Sequence, residues 1–261
     1  MAELISPLAN VSPKARLGAN VKIDPFVFVA DEVEIGDGTH LHAGSVVLDG
    51  ARIGRHCNIH SGAVIAGEPQ DLKFKGEKTT AVIGDYTNIR ECATVNRGTA
   101  SKGTTIVGSH CLIMAYTHVA HDCVIGDSVI ISNASQIAGE VHIDHNAVIG
   151  GGSLIHQFCH VGAHVMMQGG SLINKDIPPY IMCGRNPSSY VGINVVGLRR
   201  RGFSSEQISL LQEIYRIIFS ADLNTTSAIT CVEQTIPESE LRNEVISFIR
   251  ASKRGILKGN N

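Results

Sequence analysis

The sequence predicts a parallel β-helix closed by a C-terminal helical segment, and three observations carry that prediction. The first is an aliphatic residue at every sixth position, from Val11, Leu17 and Ile23 to Ile65, resuming at Ile83, Ile89 and Val95. From Val107 it runs unbroken to Val161, Met167 and Ile173. Helices repeat every 3.6 residues and flat strands every 2, so neither gives a period of six. A hexad fits a coil of short strands, each sending one side chain inward before the chain turns a corner. The second observation is a superperiod of 18, three hexads per turn, marked by Leu17, Ile35, Ile53, Ile83, Val107, Ile125, Ile143 and Val161. All but Ile143 precede a glycine. The third is a change of pattern after Ile173, where the hexad stops and helical spacing takes over.

Two intervals exceed 18, Ile53 to Ile83 by 12 residues and Ile83 to Val107 by 6. Whole-hexad insertions keep the inward phase, so they should project as loops near 67–80 and 97–105. Beyond the hexads, Pro178-Pro179 ends the strand pattern and Gly184–Gly197 reads as an irregular connection. Helical spacing begins at Leu198. Ser204 and Gln207 form a capping box ahead of Ile208, Leu211, Ile214, Tyr215 and Ile218. A weaker helix is expected over Thr225–Thr235, and Ser239 opens a last one with Leu241, Val245, Phe248 and Ile249 on one stripe. The chain therefore divides into a coiled part over 1–190 and a helical part over 191–261. Such a tail is suited to cover one end of the prism and its unpaired strand edges.

Composition narrows the function. With 22 basic and 24 acidic residues the net charge is −2, which argues against a nucleic-acid binder. The seven cysteines are scattered without a CxxC pair, as expected for small corner fillers in a reducing compartment. No charged-then-apolar leader and no apolar run of about 18 residues is present, so a soluble cytoplasmic protein without stable membrane insertion is expected.

The densest polar cluster is Thr117–Cys123, reading THVAHDC. Val119 is an inward rung, so His118 points outward and His121 lies at the next corner. Adding 18 twice aligns His121 with Gly139 and Gln157, a base, a bare backbone amide and a carboxamide in one column. Neighbouring rungs lie about 4.8 Å apart. A carbonyl beside His121 would meet the Gly139 N–H while its attacker gives a proton to the imidazole. The spacing alone leaves a second reading open, a solvated polar ladder. Gln70-Asp71-Leu72-Lys73 on the first insertion and Arg199-Arg200-Arg201 before the helices are likewise open. The first reads as a site or a solvated loop, the second as a phosphate or acidic-partner site or a charged helix approach. His42 and His60 stack, as do His142 and His160. The close pair His118 and His121 has the wrong gap for the shared three-histidine site of γ-carbonic-anhydrase-type β-helices, and an Asp follows directly, so no metal is expected.

Together QDLK, HVAHDC, HQF (His156–Phe158), GAHVM (Gly162–Met166) and GLRRRGFS (Gly197–Ser204) resemble the UDP-N-acetylglucosamine acyltransferases of lipid A biosynthesis over nearly the whole chain. The resemblance implies a left-handed β-helix, a homotrimer and active sites in grooves between chains, with no cofactor. The expected donor is an acyl carrier protein bearing a long 3-hydroxyacyl chain, and the acceptor is the sugar 3-hydroxyl of UDP-N-acetylglucosamine. His121 becomes the general base, Asp122 its orienting partner and the Gly139 N–H the oxyanion donor. Asp71, Lys73, His118 and Gln157 match sugar and phosphate contacts, with His156 a further active-site match. Asn194 and Arg200 match nucleotide contacts, and Gly169 stands at the acyl-length position. Gln70, Met166 and Arg201 lie in the same motifs and join the substrate-binding set. Three positions depart from the family: Glu140 and Pro187 stand where it has histidines, and Val196 where it has an acidic nucleotide contact. A 3-amino sugar nucleotide therefore stays open as acceptor. The competing readings are a γ-carbonic-anhydrase-like metalloenzyme and a non-catalytic hexapeptide-repeat scaffold.

Overall fold

In the computed structural model, which describes residues 4–220 and 222–259, short two- to five-residue strands stack into three sheets of 9, 8 and 10 strands, parallel throughout except for the last strand of the 10-stranded sheet. Each sheet is one face of a triangular prism. The rungs pair in the expected register: Leu17 with Ile35, Val119 with Ile137, Ile131 with Ile149. Their side chains fill the interior, and Leu41, Ile59, Ile89, Ile113 and Ile143 are completely buried. The superperiod residues Leu17 to Val161 all fall on the 8-stranded sheet. Five of the seven thiols are buried in the coils, whereas Cys92 is exposed and Cys231 lies in the helical segment. Cys111 and Cys123 are buried and each S–H donates to a carbonyl of the next coil, Gly126 and Ala138 respectively, at 3.1 Å. Burial pushes the Cys123 thiol up to about 12. All seven cysteines are free.

Both insertions leave the prism where the 9-stranded sheet turns into the 8-stranded one, the same corner that carries His121 one coil further on. They pack on each other. The Arg97 guanidinium reaches Glu68 Oε1 at 3.3 Å and lies over the Phe74 ring, 5.3 Å from its centroid. Asn96 Nδ2 donates to the Glu68 carbonyl at 2.9 Å.

Three details differ from expectation. The prism begins one hexad earlier, since Ile5 bridges to Ile23. It also continues past Ile173, with Ile177 bridging Val161 and Cys183 pairing with Met167. These partners are 16 residues apart, because the last corner at Asn174–Asp176 is two residues short, so the arithmetic of six loses them. Gly184–Gly197 is no irregular connection: strands Ile181–Gly184 and Ser189–Ile193 form an antiparallel hairpin that edges the 10-stranded sheet. The division expected at 190/191 therefore falls inside a strand.

Among the described residues four helices follow: α1 (Val195–Arg200), α2 (Ser205–Ile218), α3 (Thr225–Thr235) and α4 (Glu240–Ala251). Helical structure starts three residues before Leu198, because Asn194 caps α1 by accepting from the Gly197 N–H. The Ser204–Gln207 capping box is present, and the stripe Ile208 to Ile218 is buried. Tyr215, wholly buried, donates its hydroxyl to the Pro179 carbonyl at 2.7 Å and so ties α2 to the last coil. The tail then returns, with the Leu257 N–H donating to the Asp176 carbonyl at 2.9 Å. Among the described residues, no helix is long and apolar enough to cross a membrane.

Candidate active site

The corner after Val119 is built by backbone sterics before any side chain matters. Asp122, Glu140 and Phe158 occupy the left-handed region at φ of 60°, 58° and 66° on successive coils. Asp tolerates that conformation better than most residues. The turn lifts the preceding residues, His121, Gly139 and Gln157, into one column. A β-carbon placed on Gly139 would sit 2.5 Å from His121 Nε2, so only glycine leaves room for the imidazole. The Gly139 N–H takes no part in the backbone ladder among the described residues.

His121 is at the expected corner and nearly buried, with its side chain 10 % exposed. It remains outside the core, lining a groove of ≈ 630 Å³ together with Gln70, His118, Gly139, His156 and Gln157. Its Nδ1 lies 2.9 Å from Asp122 Oδ2. The ionised carboxylate only accepts, so Nδ1 carries the proton and the Nε2 lone pair faces Gly139. That is the tautomer a general base requires.

The second insertion holds Asp122 in place. Thr99 donates its N–H to Oδ1 at 2.9 Å and its hydroxyl to Oδ2 at 2.6 Å, and the Asp122 N–H donates to Thr105 Oγ1 at 2.8 Å. Burial alone would raise the Asp122 carboxyl, but the bonds from Thr99 and His121 outweigh it and hold the group below its ordinary value. Asp122 is therefore ionised at neutral pH. Thr99 and Thr105 are the residues that sequence reading missed. Thr99 lies 23 residues from Asp122, outside any multiple of 18, because the insertion breaks the count.

A consequence is testable by denaturation. Thr99→Val removes a donor to a buried carboxylate and should cost about 1.5–3 kcal/mol at neutral pH. A carboxyl with a lowered folded pKa contributes stability that is fully present above its unfolded value of about 3.9 and lost as pH falls through the folded value. The deficit of Thr99→Val should accordingly shrink in acid. Equal deficits at neutral and acid pH would contradict this account.

The other expected residues divide into three groups. His118 is half-buried, its Nδ1 2.7 Å from Thr94 Oγ1, and burial followed by the neighbouring His121 lowers its pKa, so it is neutral. Asp71 and Lys73 form a turn on the first insertion, the Lys73 N–H donating to Asp71 Oδ1 at 3.0 Å, above the groove that Gln70 lines. Glu140 is tethered by Ser101, whose hydroxyl donates to Oε1 at 3.3 Å, with Lys102 Nζ 4.0 Å from Oε2. Met166, Gly169, Arg200 and Arg201 are exposed and do not line this groove. Met166 points outward from the 10-stranded sheet, and Gly169 follows at its next corner, on another edge of the prism from His121. Asn194 is buried and committed to structure, its Nδ2 donating to the His164 carbonyl at 2.8 Å and its Oδ1 capping α1.

Comparison with known proteins adds to this geometry. Residues 176–257 match the model of "Udp N-acetylglucosamine O-acyltransferase; Domain 2", and 14–49, 33–67 and 104–139 match the bacterial transferase hexapeptide repeat. An acyl-[acyl-carrier-protein]–UDP-N-acetylglucosamine O-acyltransferase of Sulfurihydrogenibium is 54 % identical over 97 % of this chain and 93 % of its own. Its counterpart in Chlorobaculum parvum is 50 % identical over 96 % of each. Among solved structures, the UDP-N-acetylglucosamine acyltransferase of Bacteroides fragilis superposes with a TM-score of 0.95 at 51 % identity, covering 97 % of this chain and 100 % of that one. The Acinetobacter baumannii structure gives 0.95 at 40 % identity, covering 98 % and 100 %.

Proposed function

The chain belongs to the UDP-N-acetylglucosamine O-acyltransferase family, and from that premise we propose that its groove transfers a long 3-hydroxyacyl group from acyl carrier protein to the 3-hydroxyl of UDP-N-acetylglucosamine, the first step of lipid A biosynthesis. The observation that carries the reading is the His121 tautomer: Nδ1–H held by Asp122, Nε2 free and opposite the Gly139 amide. The sugar hydroxyl gives its proton to His121 Nε2 as its oxygen attacks the thioester carbonyl. The oxyanion of the tetrahedral intermediate is held by the Gly139 N–H. When the intermediate collapses the C–S bond breaks, and the imidazolium returns the proton to the departing thiolate. Asp122 stabilises the imidazolium between those two events.

Gln70, Asp71, Lys73, His118, His156 and Gln157 surround the base from two coils and the first insertion, and fit the sugar and diphosphate. Glu140 would accept from a sugar hydroxyl or an amino group. Arg200 and Arg201 are assigned to the nucleotide, with Asn194 capping the helix that carries Arg200, and Met166 and Gly169 to the acyl chain. None of these four assigned residues lines the groove of its own chain, so a homotrimer in which a neighbour supplies them completes the site. A cytoplasmic location fits seven free cysteines.

The deciding experiment is a transfer assay with a panel of 3-hydroxyacyl carrier proteins against UDP-N-acetylglucosamine and its 3-amino analogue. Saturable transfer to either sugar supports acyl transfer, and the preferred sugar fixes the acceptor atom. No transfer and no saturable sugar-nucleotide binding would return the chain to the scaffold reading. A second test concerns length. Gly169→Met places a side chain at the assigned end of the acyl groove and should shift preference to shorter donors by 10-fold or more, since each excluded methylene is worth about 0.8 kcal/mol. An unchanged length profile would remove Gly169 from the acyl site.

A further inference from the structure

Away from the His121 groove, two His–Asp clusters among the described residues are left unexplained by acyl transfer, and one of them interrupts the repeat. The rungs of the 8-stranded sheet are each followed by glycine, except that Asp144 follows Ile143. Glycine is demanded at the other positions by the approach of the next coil; a β-carbon on Gly54, for example, would lie 2.8 Å from the Asp85 nitrogen. The single departure places a carboxylate between two imidazoles. His142 Nε2 lies 2.9 Å from Asp144 Oδ1, and His160 Nε2 lies 2.9 Å from Asp144 Oδ2. The histidines face each other across one coil spacing, with ring centroids 4.5 Å apart.

We propose that His142, Asp144 and His160 bind one divalent transition-metal ion, of the zinc or cobalt class, that clips two coils together beside α4. The three donor atoms lie within 4.8 Å of one another, and ligand atoms about 3.3 Å apart are what metal bonds of about 2.0–2.2 Å require. Two neutral imidazoles and one carboxylate give a donor set of charge −1, with positions left open for water. Among the described residues, no lysine or arginine forms an ion pair with Asp144, whose partners are His142 and His160. A second triad, Asp24, His40 and His42, has donor atoms equally close, but its carboxylate is already shared with a cation. There Lys22 Nζ already lies 3.5 Å from Asp24 Oδ1, and His42 stands 3.9 Å away.

The ligands also reach the seam with the helical segment. The His160 ring packs on Phe248 of α4 at 4.4 Å between centroids. Its backbone N–H donates to Asp176 Oδ1 at 2.8 Å, while Ser252 donates its hydroxyl to Asp176 Oδ2 at 2.6 Å. An ion on His160 therefore braces the ring that α4 rests on. Entry is open, with the three side chains 27–45 % exposed.

The test titrates the full-length protein, stripped with chelator, with Zn²⁺ by calorimetry and with Co²⁺ by visible absorption, and follows Tm in each. The expected result is one ion per chain, cobalt d–d bands and a rise in Tm. Asp144→Gly restores the residue of the neighbouring coils and should weaken binding by more than about 10-fold, the least that even outer-shell changes cost. Should that variant fold poorly, His142→Asn removes the most exposed ligand and reads the same. Asp24→Asn should bind as the unaltered chain does. Absence of saturable binding, binding retained in folded Asp144→Gly or His142→Asn, or binding lost in Asp24→Asn overturns the proposal.

Discussion

Replacing His121 by alanine lowers kcat for acyl transfer by about 10²–10⁴-fold, the range a positioned general base contributes, while leaving the fold in place. The fold survives because His121 lines the groove and is absent from the packed interior, which belongs to the rungs beside it. The variant keeps Asp122 on Thr99 and Thr105, so the second insertion stays docked. Sugar-nucleotide binding should change little, since the base acts on a proton that moves only in the transition state. The measurement is steady-state kinetics with a 3-hydroxyacyl carrier protein, with a thermal melt to show that the coil is intact. Near-normal turnover in a folded His121→Ala protein would sink the whole catalytic assignment, Asp122 and Gly139 included.

Gly139→Ala is expected to be almost as damaging for a different reason. The added methyl would lie 2.5 Å from His121 Nε2 and 2.6 Å from its Cε1, contacts that no packed structure accommodates. Asp122 pins the far side of the ring at 2.9 Å, and Asp122 is itself pinned by Thr99. The ring therefore leaves its productive position or the coil corner shifts, and either movement also turns the Gly139 N–H away from the oxyanion. A misplacement of about 1 Å costs about 10²-fold, and the loss of an oxyanion donor about 10²–10³-fold. The kinetic signature should be a fall in kcat with little change in KM for the sugar nucleotide. A Gly139→Ala enzyme with unchanged kcat would show that the His121–Gly139 juxtaposition is not the reacting centre.

Both predictions rest on a column that six-residue arithmetic reaches without coordinates. Parallel coils repeat their corners at fixed separation, so residues 18 apart must share an edge and stand one rung apart. Val119 lies inward, and His121, Gly139 and Gln157 follow on successive coils. The same arithmetic fails wherever the count is broken. Ile177 and Cys183 are missed because the last corner is two residues short. The hairpin Ile181–Ile193 is missed because its antiparallel strands obey no hexad. Thr99 is missed because an insertion carries it to Asp122 through a loop whose path no period describes, while Thr105 sits on the neighbouring strand and shows its role only through its hydroxyl contact.

The sequence by itself determined the prism, the phase of its faces, the places where loops leave it and the line that joins base to oxyanion donor. These follow from a local rule, one inward aliphatic residue per short strand, repeated until small errors cannot accumulate. Motif resemblance added the family, which the relatives then established. Only the tertiary structure decided which nitrogen of His121 is free, that Thr99 fixes Asp122, that His121 is nearly buried, and that Asp144 meets two histidines at once. Those facts depend on side chains brought together by loop paths and by 2.6–2.9 Å contacts. A period of about six residues positions backbones to within a rung of about 4.8 Å, and hydrogen bonds are made or lost on a finer scale than that.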